Sequence, residues 1–316
     1  MSSKIAIIAL GGNAISKPGE KGTIAEQFAN TRETCEHLVK IIEAGYRLCI
    51  SHGNGPQVGN ALRRVEVAEE KNIYPLPLGI CVADTEGGMG YMIQQELRNT
   101  MIKKKMPLKE VASIITQVVV PSDDPAFKNP SKPVGGFFSK KQAQGIIKSK
   151  GWDMVEDAGR GWRRVVPSPK PFKIVESSLI SSLISSGNIV IACGGGGIPV
   201  IEKESGVLDG VDAVVDKDYA SSLLAREIGA ELLIIATGVD KVAINFGKTN
   251  QKNLDEISIA EAKKLYEEGH FPKGSMGPKI LASCEFVEKT GNTAIITSLE
   301  KISEALNGNS GTRIVP

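Results

Sequence analysis

The chain opens on an uninterrupted apolar run, Ile5-Ala6-Ile7-Ile8-Ala9-Leu10, that stops at Gly11-Gly12-Asn13. A run of this kind predicts a strand buried on both faces, as in a parallel sheet covered by helices. The period then changes. Between Thr23 and Ala44, apolar residues at Ile24, Phe28, Leu38, Ile41 and Ile42 are spaced by charges, which predicts a helix with Gly45 as its C-cap. Tyr46 to Ser51 reads as a second strand, halted by His52-Gly53-Asn54-Gly55-Pro56, and a helix follows.

The alternation continues. Helices are predicted over Ala83–Lys105, Val175–Ser186, Lys217–Ile228, Ile259–Glu268 and Lys279–Lys289. Strands are predicted over Ala112–Val120, Asn188–Cys193, Glu231–Ala236, Thr293–Thr297 and Thr312–Val315. Strand–helix alternation implies an α/β fold with an open, mostly parallel sheet sandwiched by helices. One stretch breaks it. Residues 121–171 are rich in proline, hold both tryptophans and lack long apolar runs. A structureless loop of that length is unusual in a compact domain, and Phe137, Phe138, Trp152 and Trp162 need somewhere to pack. The expectation is one domain over 1–316, with 121–171 as a small, hairpin-rich inserted subdomain that protrudes over one edge of the sheet.

Composition narrows the function classes. Across 316 residues, 38 Lys+Arg face 36 Asp+Glu, which excludes a body built to coat nucleic acid by charge. No stretch is long and apolar enough to span a bilayer, and the N-terminal run is too short for a signal peptide. The five cysteines show no Cys-x-x-Cys pair and the three histidines no zinc spacing. The cysteines read as buried small hydrophobes in a cytoplasmic protein, and neither residue type is expected to supply metal ligands.

Ligands of open α/β sheets bind beyond the carboxyl ends of the strands, and four of those ends carry glycine: Gly11-Gly12, Gly53-Asn54-Gly55, Gly194 to Gly197, and Thr237-Gly238. Any single pair reads as a tight turn. Their coincidence suggests a polyphosphate cradle, because glycine lets backbone amides approach an anion closely. Two familiar phosphate motifs fail. Gly53 to Gly59 is one residue too long for G-x-G-x-x-G, and Gly247-Lys248-Thr249 lacks its first glycine, which falls on Val242. Three lysines sit in unusual settings. Lys217 lies between Asp216 and Asp218 at a strand–helix junction, where the aspartates could orient it, bind Mg²⁺ or cap the helix. Lys279 follows a Gly/Pro loop, and Lys132 stands between Pro130 and Pro133.

Taken together, Ala9 to Ala14, Ser51 to Gly59, Asp124 to Phe127, Asn129 to Gly135, Ala192 to Pro199, Val214 to Asp218 and Gly274 to Lys279 resemble the carbamate kinases of the amino-acid kinase family. The resemblance runs from residue 4 to 315. It implies the amino-acid kinase fold and reversible phosphoryl transfer between carbamoyl phosphate and ADP, giving ATP and carbamate, in arginine catabolism. Other members of the family carry a lysine two residues before the first Gly-Gly, where this chain has Ala9. The resemblance implies that Lys132 supplies the missing charge from the insertion. It further implies Lys217 and Lys279 on the phosphates, Asp216 as organiser, and Gly11, Gly12, Asn13, Gly53, Asn54 and Gly55 around the transferring group. Thr237, Asp240, Asn245, Phe246 and Met276 fall where the family's adenosine pocket lies. Mg²⁺ is implied on the nucleotide phosphates, and a homodimer as the assembly. A sister kinase acting on a small carboxylate, or a nucleotide sensor without turnover, stays as the alternative.

Overall fold

The first strand, β1 (Ile5–Leu10), divides its side chains between two cores: Ala6, Ile8 and Leu10 join one, Ile7 and Ala9 the other. That alternation is the period of a strand with both faces covered. The computed structural model describes residues 4–17, 19–157 and 159–316; the side chain of Asn13, a sequence-predicted site residue, lies outside what is described.

After β1 come α1 (Ile24–Glu43), β2 (Arg47–His52), α2 (Gly55–Glu69), α3 (Leu78–Lys103), β3 (Val111–Ser113) and β4 (Gln117–Val119). The middle of the chain holds β5 (Lys132–Phe138), α4 (Lys140–Lys150), β6 (Met154–Glu156), β7 (Trp162–Val166), β8 (Lys173–Ile174), α5 (Ser177–Ser185), β9 (Ile189–Ile191), β10 (Ile198–Glu202) and β11 (Leu208–Gly210). The last part holds α6 (Lys217–Glu227), β12 (Leu232–Ala236), β13 (Ala243–Ile244), β14 (Lys252–Asn253), β15 (Glu256–Ser258), α7 (Ile259–Glu267), α8 (Met276–Thr290), β16 (Thr293–Thr297), α9 (Ile302–Leu306) and β17 (Thr312–Val315).

Eight strands form the large sheet in the order β15-β17-β16-β12-β1-β2-β9-β3, and only the β16–β17 pairing is antiparallel. On one face α1 and α3 bring Leu38, Ile41, Ile93 and Leu97 against Ile8 and Leu10. On the other, α5, α6 and α8 bring Ile180, Leu224, Ile280 and Phe286 against Ile7 and Ile235. The entry to α1 is fixed by a capping box. Thr23 Oγ1 accepts from the Glu26 amide while the Glu26 carboxylate accepts from the Thr23 amide. Because β2 and β12 flank β1 on opposite sides, the Gly11-Gly12 turn opens into the crevice where the chain connections diverge.

Two departures from the sequence reading bear on the architecture around the site. The apolar stretch 112–120 is two strands in different sheets. Val111–Ser113 closes the edge of the large sheet, whereas Gln117–Val119 joins a four-stranded sheet, β11-β10-β4-β8. The chain turns between them at Thr116, whose amide donates to the buried Glu86 carboxylate at 3.0 Å and whose hydroxyl accepts from the Cys193 amide at 3.0 Å. A run of apolar residues does not say which sheet receives it. The second departure is α4. Residues 132–166 form an antiparallel sheet, β5-β7-β6, and also this helix, fixed by a Ser139–Gln142 capping box and by Gly151 at φ +65°. A third core, with Val134 and Val166 against Val58, Leu62 and Val82, seats this small sheet on α2 and α3.

Candidate active site

Three elements deliver three lysines to one cleft of about 700 Å³. Lys132 is the first residue of β5, in register with Val166 of β7. Lys217 is the first residue of α6 and Lys279 lies in the first turn of α8. The carboxylates that meet them are neighbours. Asp216 is the N-cap of α6: one oxygen accepts from the Asp218 amide at 2.9 Å, the other from Lys132 Nζ at 2.8 Å. Asp218 accepts from Lys217 Nζ through one oxygen and from Lys279 Nζ, at 2.9 Å, through the other. The sequence expectation that Asp216 holds Lys217 is therefore corrected: Asp216 holds Lys132, and Asp218 holds the other two. The reading that a flanking aspartate orients Lys217 holds for Asp218, whose second role needs Lys279 brought from 61 residues away.

Burial drives the electrostatics. Burial alone pushes the Asp218 carboxyl up, but the charges and hydrogen bonds of Lys217 and Lys279 outweigh it and hold the group at about 2. Lys279 is lowered from the usual lysine range, first by burial and then by the Lys217 charge, against the pull of Asp218. The three ammonium groups are thus kept in place by two ionised acids.

Glycine shapes the floor. The Gly53 amide donates to the Leu10 carbonyl at 3.1 Å, which ties the end of β2 to the end of β1 and corrects the expectation that this amide is free to cradle a phosphate. A Cβ on Gly53 would stand 3.2 Å from Lys217 Cδ, so its absence makes room for that side chain. Gly12, Gly53, Asn54 and Gly55 line the cleft, while Gly11 lies behind them against the Ala236 carbonyl. In the four-glycine turn Gly195 reaches the cleft wall, but the run as a whole is buried and serves close packing. Gly196, at φ +95°, would place a Cβ 2.2 Å from the Val215 carbonyl oxygen, just before the Asp216–Lys217 corner.

Beneath the floor lie His52 and Glu86, which the sequence reading did not single out. His52 Nδ1 is 3.0 Å from the Gly53 carbonyl, so Nδ1 carries the proton and Nε2 is left as an acceptor. Burial, abetted by Lys217, lowers His52 to about 4, against the pull of the Gly53 carbonyl, and burial pushes Glu86 up to about 9. Nε2 of His52, Oε1 of Glu86 and Nδ2 of Asn54 are buried without partners among the described residues.

Thr237, Asp240, Asn245, Phe246 and Met276 do not line the lysine cleft. Thr237 follows β12, its amide bonded to the Thr297 carbonyl at 2.9 Å; Asp240 accepts from Ser298 Oγ at 2.6 Å. Asn245 and Phe246 stand on the β13–β14 hairpin, where the Phe246 ring is 64% exposed. Met276 begins α8 and packs against the helix-side core. All five cysteines are buried and unbridged.

A strand-end crevice floored by glycine and charged by lysines on three elements has the chemistry that phosphoryl transfer needs, and the profile of the Amino acid kinase family matches residues 4–298. The chain belongs to that family and is a kinase. It is 50% identical over 314 residues to the carbamate kinase of Thermococcus kodakarensis, covering 99% of both chains. The carbamate kinase of Pyrococcus horikoshii is 49% identical over 311 residues, covering 98% of both. The solved structure of carbamate kinase from Giardia lamblia bound to AMP-PNP superposes with a TM-score of 0.91 at 42% identity, covering 99% of each chain. Within the family, these similarities put the chain among the carbamate kinases.

Proposed function

We propose that the enzyme moves a phosphoryl group reversibly between carbamoyl phosphate and ADP, yielding ATP and carbamate, and that it forms ATP at the end of arginine breakdown. The observation that carries this reading is the convergence of Lys132, Lys217 and Lys279 on one cleft with Asp216 and Asp218 between them. Bringing two phosphorylated anions together is the difficulty: unit charges about 4 Å apart interact by about 4 kcal/mol at an effective dielectric of ~20. Phosphoryl transfer asks the protein for positioning and preorganised positive charge more than for covalent chemistry. Lys217 and Lys279 take the nucleotide phosphates and the group in flight. Lys132 takes the carbamoyl phosphate side, replacing the lysine that Ala9 lacks. Asp216 and Asp218 aim the three, and the Gly11, Gly12, Asn13, Asn54 and Gly55 backbone leaves room for the phosphoryl oxygens.

The adenosine is assigned to Thr237, Asp240, Asn245, Phe246 and Met276. An exposed aromatic ring on a hairpin beyond β12 supports that assignment. Mg²⁺ arrives on the nucleotide phosphates. Both cleft carboxylates are occupied by lysines, and among the described residues no cluster of three or more His, Cys, Asp or Glu could hold a metal. Residues 121–171 are assigned as an insertion within a single domain, supported by their own antiparallel sheet. Two copies pair as a homodimer. Ile80, Tyr91 and Ile102, about half exposed and spaced by three helical turns on α3, supply an apolar face for it. Among the described residues no helix is long and apolar enough to cross a membrane.

A coupled assay of ATP formation from carbamoyl phosphate and ADP tests the reading. Rapid, carbamoyl-phosphate-dependent ATP formation is expected. No turnover there, with phosphorylation of acetylglutamate or aspartate by ATP instead, would overturn it.

A further inference from the structure

The lysine wall is nearly neutral as built, since three ammonium groups share two ionised carboxylates. The rest of the lining is not. Arg63 of α2, Arg160 of the β6–β7 turn and Arg163 of β7 line the same cleft and add three more cations. Arg160 and Arg163 are held in place: both pair with Asp157 and both guanidinium groups lie 5.1 Å from the centroid of the Phe137 ring. Arg163 also donates to the Gly135 carbonyl at 3.3 Å, and its buried Nε has no partner among the described residues. Arg63 makes neither an ion pair nor a hydrogen bond among the described residues; Glu66, one turn on, feels its charge.

Geometry sets how deep this charge lies. Gly55, Gly59 and Arg63 follow one another at four-residue spacing on the cleft-facing side of α2. At a rise of 1.5 Å per residue, Arg63 stands about 12 Å beyond the glycine-rich floor. Gly59 would place a Cβ only 3.5 Å from Gly135, so α2 meets β5 one turn inside Arg63, and Arg163 bonds to that same Gly135. Arg63 and Arg163 therefore both flank that contact in the lining of the cleft. From that position the guanidinium groups act on an incoming anion through the field that the cleft focuses, most strongly at low ionic strength.

We propose that Arg63, with Arg160 and Arg163, forms an outer capture site that draws the dianionic phosphoryl donor from solution and passes it to the lysine floor, so that Arg63 governs capture of that substrate and not the chemical step. The proposal rests on carbamoyl phosphate being the donor. The test is a charge series, R63K, R63Q and R63E, with kcat and kcat/KM for carbamoyl phosphate measured at low and high ionic strength. R63K should retain kcat/KM within about twofold. R63Q should lose about fivefold and R63E more, with kcat and the KM for ADP within about twofold of the parent. The loss should shrink as salt rises. Equal kcat/KM across the series, an equal loss in all three variants, or a parallel fall of kcat would overturn the proposal.

Titration with inorganic phosphate by calorimetry, which needs no turnover, reads the same site independently. Affinity should fall in the order parent, R63Q, R63E, and identical affinities would sink the capture site. A parent enzyme that binds phosphate in this charge-dependent way but makes no ATP from carbamoyl phosphate would count against the donor assignment alone.

Discussion

A single buried carboxylate, Asp218, accepts from two part-buried ammonium groups, and removing its charge takes that counter-ion from both. Breaking a buried pair by deleting one partner costs about 3–5 kcal/mol. D218N is expected to lower stability on that scale in chemical denaturation and to abolish most turnover, because Lys217 and Lys279 lose the group that aims them. Gly196 is the backbone counterpart. An alanine there meets the Val215 carbonyl at 2.2 Å and a positive φ at once, so G196A should cost at least about 2–3 kcal/mol and reduce activity through the Lys217 corner. Glu86 makes a pH-dependent contribution. Its carboxyl titrates at about 9 in the fold against 4.5 normally, so the native state binds the extra proton between those values. Its contribution is fully present below pH 4.5 and is lost as pH rises toward 9, by at most about 1.4 kcal/mol per pH unit. E86Q keeps an acceptor for the Thr116 amide and cannot ionise. Its melting temperature should therefore fall less steeply between pH 5 and 9 than that of the parent.

Among elements, the strand that starts with Lys132 carries the sharpest functional expectation. K132A should lower kcat by orders of magnitude while leaving ADP binding by calorimetry within a few-fold, because Lys217 and Lys279 reach the cleft from helices that do not depend on β5. An unchanged kcat would return Lys132 to the surface. This element also marks how far the chain could be read unaided. β1, β2, β12 and the long helices were legible because their burial is set by local period, two-sided for the strands and one-sided for α1. The lysines were legible from their proline, glycine and aspartate neighbours. The pairing was not: Asp216 reaches 84 residues back to Lys132, and no local pattern encodes that. The division of 111–119 between two sheets and the β10–β11 hairpin were hidden for the same reason. The Ser139–Gln142 capping box and Gly151 did announce α4, but the surrounding prolines and aromatics suggested hairpins alone. Arg63, Arg160 and Arg163 gave no signal, since a cleft made by α2 and a distant sheet exists only once the chain is folded.

For the whole molecule, what matters is that the small sheet rests on α2 and α3 through one apolar seam, where Gly59 lies against Gly135. Widening that seam should separate Lys132 from Asp216 without touching either. G59V is expected to reduce kcat about tenfold or more, with the global unfolding midpoint moved far less than by G196A. Equal kcat in G59V and the parent would mean that the seam does not set the lysine geometry. The two halves also meet through Lys150 and Glu69, an exposed pair that contributes little by comparison.

Each of the three cleft ammonium groups rests against an oxygen tethered to the polypeptide. A lone halide from the medium competes with a partner that never diffuses away, and it brings only one charge to the exchange. Multivalent oxyanions can bridge two or three cations at once and so displace the tethered acids. Ordinary physiological chloride should therefore leave turnover nearly untouched, while pyrophosphate competes with ADP: a filter by valence that needs no door.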